Sequence, residues 1–162
     1  MSIRVTKGNV FRVKLEDGTI RYFQFIGKDK TDLNGDVIAI FNTHYSIDES
    51  DCDRIIGDSV ECFMHTSVRA GLKLGFWERV FSSRVLIDNN ITFRDSLDYG
   101  NYPYQHIVSH HWVVWNMNEE RKYVGRLPKK YYRADVGGVF PPALVIKRME
   151  TGVLPLNFYP SY

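Results

Sequence analysis

The sequence predicts a β-rich α+β domain, arranged as a curled antiparallel sheet or a partly open β-barrel with one or two short helices. About seven short segments combine aromatic and β-branched residues with the extended pattern of strands. Turns containing Gly, Asn, Asp or Pro separate these segments. The 162 residues are 44% hydrophobic and contain no linker or repeat, so we treat 1–162 as a single domain with one sizeable core.

The first two segments are predicted to form a β-hairpin. Residues 10–15 alternate apolar and basic side chains, which places Phe11, Val13 and Leu15 on one face. A turn follows at 16–18, because Asp-Gly tolerates the positive φ angles of tight hairpin loops. Residues 19–26 run back and are apolar on both faces, which is typical of a central strand or a barrel stave.

The next part of the chain continues this pattern. Residues 36–41 and 59–65 are predicted strands, and the acid-rich stretch 46–53 between them is predicted to be a loop. Residues 67–75 are predicted to contain a short helix, and 76–80 to return to an extended conformation.

A long irregular connection is predicted over residues 82–105, where turn signals recur. Connections of this length are often functional or specially packed, and the sequence leaves both possibilities open. Residues 112–117 and 121–126 are predicted to form a second hairpin. Two prolines before residues 143–150 and Gly152 after them predict a short helix.

The composition of the chain argues against nucleic-acid and membrane partners. The net charge is +2 with both signs interspersed, which argues against a broad electrostatic nucleic-acid binder. The chain begins without the apolar stretch of a signal peptide, and no segment has the ~20 apolar residues that span a bilayer. We therefore expect a cytoplasmic protein with no membrane partner, in which Cys52 and Cys62 are reduced thiols.

The strongest catalytic candidates are three clustered histidines. In an extended segment, His106 and His110 point the same way and His111 points oppositely. Two imidazoles lack the further ligands that zinc requires, and no nearby Asp or Glu supplies them. Ser109 cannot pair with His110, because adjacent residues on a strand face opposite sides. We therefore expect no metal, no cofactor and no enzymatic activity.

Two polar or aromatic segments are candidates for interaction. Three tyrosines surround Pro103 in a loop of the kind enriched at interfaces, although they could equally close the end of a barrel. The acid-rich stretch 46–53 could meet a basic partner or form a solvated loop. The residues concerned are Tyr99, Tyr102, Tyr104, Asp48, Glu49, Asp51 and Asp53.

A basic and aromatic run, residues 129–133, could pair phosphates with stacked bases. Its alternative is a solvated loop after Pro128 whose tyrosines are partly packed. The small net charge of the whole chain favours the loop.

An ordered set of short motifs covers nearly the whole chain. The motifs are Lys7-Gly-Asn-Val-Phe11, Asp17-Gly18, Arg21-Tyr-Phe-Gln-Phe-Ile26, Leu33-Asn-Gly-Asp-Val-Ile38, Gly75-Phe-Trp-Glu-Arg-Val80, Phe93-Arg-Asp95, Asp98-Tyr-Gly100, Trp112-Val-Val-Trp115, Val124-Gly125 and Phe158-Tyr-Pro160. Together they resemble one family, the Imm26-like immunity proteins of bacterial polymorphic toxin systems, in their Bacteroidetes-type branch. Each motif alone is a turn or an aromatic strand, so their order carries the resemblance. The opening has Gly8-Asn9 where the commoner form has Gly-Asp.

The resemblance implies a small cytoplasmic protein that binds and neutralises a cognate toxin domain and so protects the producing cell. It implies no catalytic residues. We hypothesise that a buried aromatic cluster anchors the toxin while a charged rim selects the partner. In this hypothesis Tyr99, Tyr102 and Tyr104 are the anchors, and Asp48, Glu49, Asp51 and Asp53 steer a basic toxin.

Two other classes of function are retained as alternatives. A small nucleic-acid-binding β-barrel module would bind in a salt-dependent way through Lys129, Lys130 and Arg133. An enzyme would bring His106 or His110 together with an acid in a deep pocket.

Overall fold

The computed structural model describes residues 3–87, 90–99, 108–157 and 159–162, which contain ten strands and three α-helices. The β-rich α+β class is confirmed. The strands are β1 (Asn9–Lys14), β2 (Ile20–Asp29), β3 (Gly35–Phe41), β4 (Val60–Thr66), β5 (Glu78–Ser82), β6 (Thr92–Ser96), β7 (Trp112–Asn116), β8 (Lys122–Gly125), β9 (Asp135–Val136) and β10 (Val139–Phe140). The helices are α1 (Cys52–Ile56), α2 (Val68–Lys73) and α3 (Pro142–Thr151).

The strands divide between two sheets. The larger has the order β10-β4-β3-β2-β1-β5, and the smaller has the order β8-β7-β6-β9. Neighbouring strands are antiparallel except for the parallel pairs β10–β4 and β6–β9. The described strands close no barrel, and strand patterns alone did not indicate the division into two sheets.

Both predicted hairpins are present. In the first, β1 pairs with β2 so that Phe11 lies opposite Phe23, and their rings stack with centroids 5.0 Å apart. The second hairpin pairs β7 with β8. Strand β2 is buried on both faces, as its apolar pattern predicts, and it continues as far as Asp29.

The two faces of the larger sheet have different covers. One face carries a core that includes Phe23, Ile40 and Met64 and packs against α2 and α3. The opposite face packs partly against the smaller sheet, where Val37 meets Trp115. Because strand side chains alternate between faces, β2 and β3 supply both cores.

Four elements were not predicted: α1, β6 and the two-residue strands β9 and β10. The acid-rich stretch contains the start of α1, because Asp51 caps it by accepting a hydrogen bond from the Arg54 N–H at 3.2 Å, and Ile55 is buried beneath it. Strand β6 lies within the predicted irregular connection 82–105, where it pairs with β7 and buries Phe93. The described residues contain three α-helices, one more than the upper limit expected from the sequence.

The two thiols should differ sharply in reactivity. Cys52 is exposed, whereas Cys62 is buried, and burial raises its pKa to about 12. We expect a thiol-reactive chromophore at pH 8 to label one thiol per native chain rapidly, and the second only after unfolding. Cys52→Ser is the control and should remove the rapid phase. Two rapid phases in the native wild-type protein would contradict the placement of Cys62.

Candidate functional site

Tyr99 is an exposed aromatic residue just beyond the end of β6. It is 44% exposed, and its ring packs against that of Tyr159 with centroids 5.2 Å apart. The second ring supports Tyr99 while leaving it accessible, which is the geometry of an anchor residue. The other two predicted anchors, Tyr102 and Tyr104, lie outside the described residues.

A cleft of about 250 Å³ opens beside Tyr99. Its wall combines residues from β6, the turn before β10, the first turns of α3 and the C-terminal segment. Most of the wall is apolar, with major contributions from Tyr99, Phe140, Leu144, Leu156 and Tyr159. A recess with an exposed tyrosine at its edge can accept a side chain from a partner.

Asp95 brings a carboxyl group into this wall. Its Oδ1 atom accepts hydrogen bonds from the Ser96 N–H and from the Tyr159 hydroxyl, both at 2.8 Å. Burial raises the pKa of Asp95, and these hydrogen bonds only partly oppose the rise. The pKa of Tyr159 is also raised, by burial first and by the Asp95 charge second. The cleft therefore contains a half-buried carboxyl group whose pKa lies above its ordinary value.

Asp98 organises a second polar cluster one residue before Tyr99. Its carboxylate accepts hydrogen bonds from Ser109 Oγ at 2.7 Å and from His111 Nδ1 at 3.1 Å. These bonds, that from Ser109 most strongly, lower the pKa of Asp98. A catalytic triad places histidine between serine and acid. Here the acid is in the middle and Ser109 is buried, so the cluster does not form a Ser-His-Asp triad.

The histidine predictions have mixed outcomes. Ser109 is buried and the neighbouring His110 is exposed, so they face opposite sides as predicted. His111, and not His110, pairs with an acid among the described residues. His106 lies outside the described residues. In the described part of the chain, no cluster of three or more His, Cys, Asp or Glu side chains could hold a metal ion.

The predicted steering acids are largely engaged within the protein. Asp48 binds the Arg12 guanidinium and the Tyr22 hydroxyl. These contacts, led by the Tyr22 hydrogen bond, lower the pKa of Asp48. Burial, reinforced by Asp48, raises the pKa of Tyr22 to about 12. Asp48 therefore fastens its segment to the larger sheet.

The remaining acids surround the start of α1. Glu49 pairs with Arg54 at 2.9 Å, Asp51 is the helix cap, and Asp53 lies in the first turn. No hydrogen bond or ion pair between described residues joins this group to Tyr99. Tyr99 and the predicted steering acids therefore belong to different parts of the fold.

A buried polar cluster that was not anticipated from the sequence connects the two sheets. Asp29, at the end of β2, is fully buried. Its Oδ2 meets His65 Nε2 at 2.9 Å and accepts a hydrogen bond from Trp115 Nε1 at 3.0 Å. Its Oδ1 accepts hydrogen bonds from the N–H groups of Asn118 at 2.9 Å and Thr31 at 3.1 Å. Asp29 thus ties β2 to β4, β7 and the turn after β7.

Asp32 extends this cluster towards the cleft. It accepts hydrogen bonds from Arg121 at 3.2 Å and from the Gly138 N–H at 2.6 Å. His65 Nδ1 lies 3.5 Å from Asp32 Oδ2 but makes no hydrogen bond with it. No local spacing in the sequence marks these residues, because strands and turns far apart in the chain bring them together.

The basic run forms a single 3₁₀ turn, Lys129–Tyr131, with its charges outward. Lys129, Lys130 and Arg133 are exposed. Tyr132 is half-buried and stacks on Tyr162, with centroids 4.0 Å apart. Stacking on Tyr162 removes one face of Tyr132 from contact with a base, which disfavours a nucleic-acid platform here.

No helix in the described part of the chain is long and apolar enough to cross a membrane. Comparison with models of protein families, with curated proteins and with solved structures found no match to this chain. Function is therefore inferred from the residue contacts above and from the motif resemblance.

Proposed function

We propose that this protein is a cytoplasmic immunity protein, which binds a cognate toxin domain of a polymorphic toxin system and neutralises it without catalysis. The ordered motifs that resemble Imm26-like immunity proteins support this function. The observation that carries the proposal is the exposed Tyr99, held by Tyr159 at the edge of an apolar cleft. Aromatic anchors beside apolar recesses dominate the binding energy of many protein interfaces.

In this proposal the toxin is neutralised because the bound immunity protein covers its active site or substrate groove. A toxin segment bound over Tyr99 and the cleft would be covered by the surrounding surface, which would block the toxin's active site or substrate groove. An interface of ordinary size buries about 800 Å² on each partner, far more than the cleft itself offers. Tyr99 is therefore the proposed centre of a larger contact.

The acid-rich segment has a secondary part in the proposal. Arg12 and Arg54 already neutralise much of the charge of Asp48 and Glu49. Exposed charges at the rim of an interface mainly change the association rate. We therefore assign Asp51 and Asp53 to steering, and affinity to the surface around Tyr99.

Binding to the toxin domain encoded beside this gene tests the proposal. We expect Tyr99→Ala to weaken binding about tenfold, because the variant loses a supported aromatic anchor. Tyr123→Ala is the matched control, since Tyr123 is 60% exposed and lies on β8 outside the cleft wall.

The outcomes separate the function from the site. Absence of binding by the folded wild-type protein, with a folded toxin domain, would overturn the proposed function. Equal affinities for the wild-type protein and Tyr99→Ala would leave the function standing and reject Tyr99 as its anchor.

A further inference from the structure

Asp95 has one carboxyl oxygen, Oδ2, that accepts no hydrogen bond from the part of the chain that the structure describes. Both of its hydrogen bonds end on Oδ1, and none of the described residues donates to Oδ2. No described Lys, Arg or His makes an ion pair with this carboxyl group. A carboxylate in an apolar recess is costly without a partner, so the site favours a ligand that brings a positive charge.

Nearby charged residues are engaged elsewhere. Arg121 is hydrogen-bonded to Asp32 and lies over the Trp115 ring at 4.5 Å. The Arg94 Nε atom donates to the Ala134 carbonyl at 2.9 Å, and its guanidinium lies over the rings of Trp112 and Tyr162. Its buried Nη1 atom has no hydrogen-bond partner among the described residues, but it makes no ion pair with Asp95. Asp32 repels the Asp95 charge, while Arg121 attracts it. These groups change the electrostatic potential at Asp95, and none of the described residues donates a hydrogen bond to its Oδ2 atom.

The walls of the cleft complement the stem of a basic side chain. Leu144 and Leu156 offer apolar surface, and Tyr99 offers an aromatic ring. Lysine and arginine side chains bury their methylene groups against such surfaces while placing the charge at a polar point. Aromatic rings add attraction for a cation near their faces.

We propose that the cleft receives a basic side chain of the bound toxin, with its charged end donating to Asp95 Oδ2 and its methylene stem against Leu144, Leu156 and Tyr99. This inference rests on the proposed immunity function and names the chemistry that the site recognises. A purely hydrophobic recess would prefer an uncharged side chain. The recess proposed here would prefer a positively charged one, because Asp95 lies in its wall.

The test uses two small probes on the isolated protein, N-acetyl-lysine methylamide and N-acetyl-norleucine methylamide. Both side chains contain four carbon atoms. The lysine chain continues to a terminal ammonium group, whereas the norleucine chain ends one atom earlier in a methyl group. The backbone amides of Gly137 and Gly138 line the cleft and serve as NMR reporters. We expect the lysine probe to bind roughly tenfold more tightly than the norleucine probe, because it forms a hydrogen bond between charged groups.

Asp95→Asn is the decisive variant, because it keeps the shape of the side chain and removes its charge. We expect it to abolish the preference for lysine. In the wild-type protein the preference for lysine should fall as pH is lowered through the pKa of Asp95. The Asp95→Asn variant has no carboxyl group at this position, so its affinities for the two probes should not change over that pH range. Glu16→Gln makes the same charge change on an exposed turn and should keep the full preference. Thermal unfolding of each variant verifies that it is folded.

Equal affinities for the two probes, or a preference for norleucine, would overturn the inference. So would a preference for lysine that survives in folded Asp95→Asn. If Asp95→Asn fails to fold, Tyr159→Phe replaces it: loss of the hydrogen bond to Oδ1 should change the pH at which the preference disappears, and an unchanged pH would count against the inference. None of these readouts needs the toxin, so failure here is distinct from failure of the wild-type protein to bind the toxin.

Discussion

Replacing Asp29 by alanine is expected to lower the free energy of unfolding by about 3–5 kcal/mol. The change removes the acceptor for the His65 and Trp115 ring nitrogens and for two backbone N–H groups. The His65 and Trp115 ring nitrogens would remain buried without this partner, at a large desolvation cost. Chemical denaturation of the wild-type protein and the variant measures the difference.

The same carboxyl group should make stability depend on pH. Burial alone would raise the pKa of Asp29, but hydrogen bonds from His65, Trp115 and the backbone outweigh it, so the pKa lies below its ordinary value. A lowered pKa in the folded state stabilises the protein above the unfolded-state pKa of about 4. That contribution should be lost as pH falls through the lower, folded-state value, and Asp29→Asn should lack it.

Glu16→Ala is the control for Asp29→Ala, because it also removes one carboxylate but from an exposed turn. We expect it to change stability by less than about 0.5 kcal/mol. An Asp29→Ala variant as stable as Glu16→Ala would contradict the role of Asp29 in joining the two sheets.

The second large loss of stability is expected for a substitution at Gly71 in α2. Alanine normally stabilises a helix relative to glycine, by about 1 kcal/mol. A Cβ atom at Gly71 would overlap the indole of Trp77, which is buried and fixed by a hydrogen bond from Nε1 to the Val68 carbonyl at 2.9 Å. We therefore expect Gly71→Ala to destabilise the protein by about 1–3 kcal/mol.

A double-mutant cycle isolates this contact. Trp77→Leu should itself be destabilising, because it leaves a cavity beside Phe23, whose ring meets the indole at 5.1 Å. In the double variant the new methyl group occupies part of that cavity, so the two losses should sum to more than the measured loss. Additive losses, or a stabilising Gly71→Ala, would show that Trp77 does not lie against the helix.

Local patterns were sufficient to predict most of the strands. Residues 10–15 and 19–26 correspond to the β1–β2 hairpin, because alternating apolar side chains and an Asp-Gly turn are strong local signals. Strand β6 was missed, since four of its five residues are polar and asparagines precede it. Its strand conformation depends on pairing with β7, which local sequence does not report.

The candidate site was only partly predictable for the same reason. Tyr99 is marked by its aromatic, turn-rich neighbourhood, but Asp95 lies in the unrecognised strand β6. Tyr159 lies 64 positions after Asp95 in the chain and meets both residues only in the folded protein. The Asp29–His65 pair likewise joins the ends of separate strands, and neither residue belongs to a recognisable motif.

Co-expression most directly tests the central proposal that this protein is an immunity protein. The toxin domain encoded beside the gene is induced in a sensitive host, alone or with the wild-type protein, and survival and co-purification are measured together. Wild-type protein should restore growth and co-purify with the toxin, and Tyr99→Ala should do so less well than Tyr123→Ala. A lethal toxin that the folded, abundant wild-type protein neither binds nor neutralises would contradict the proposal.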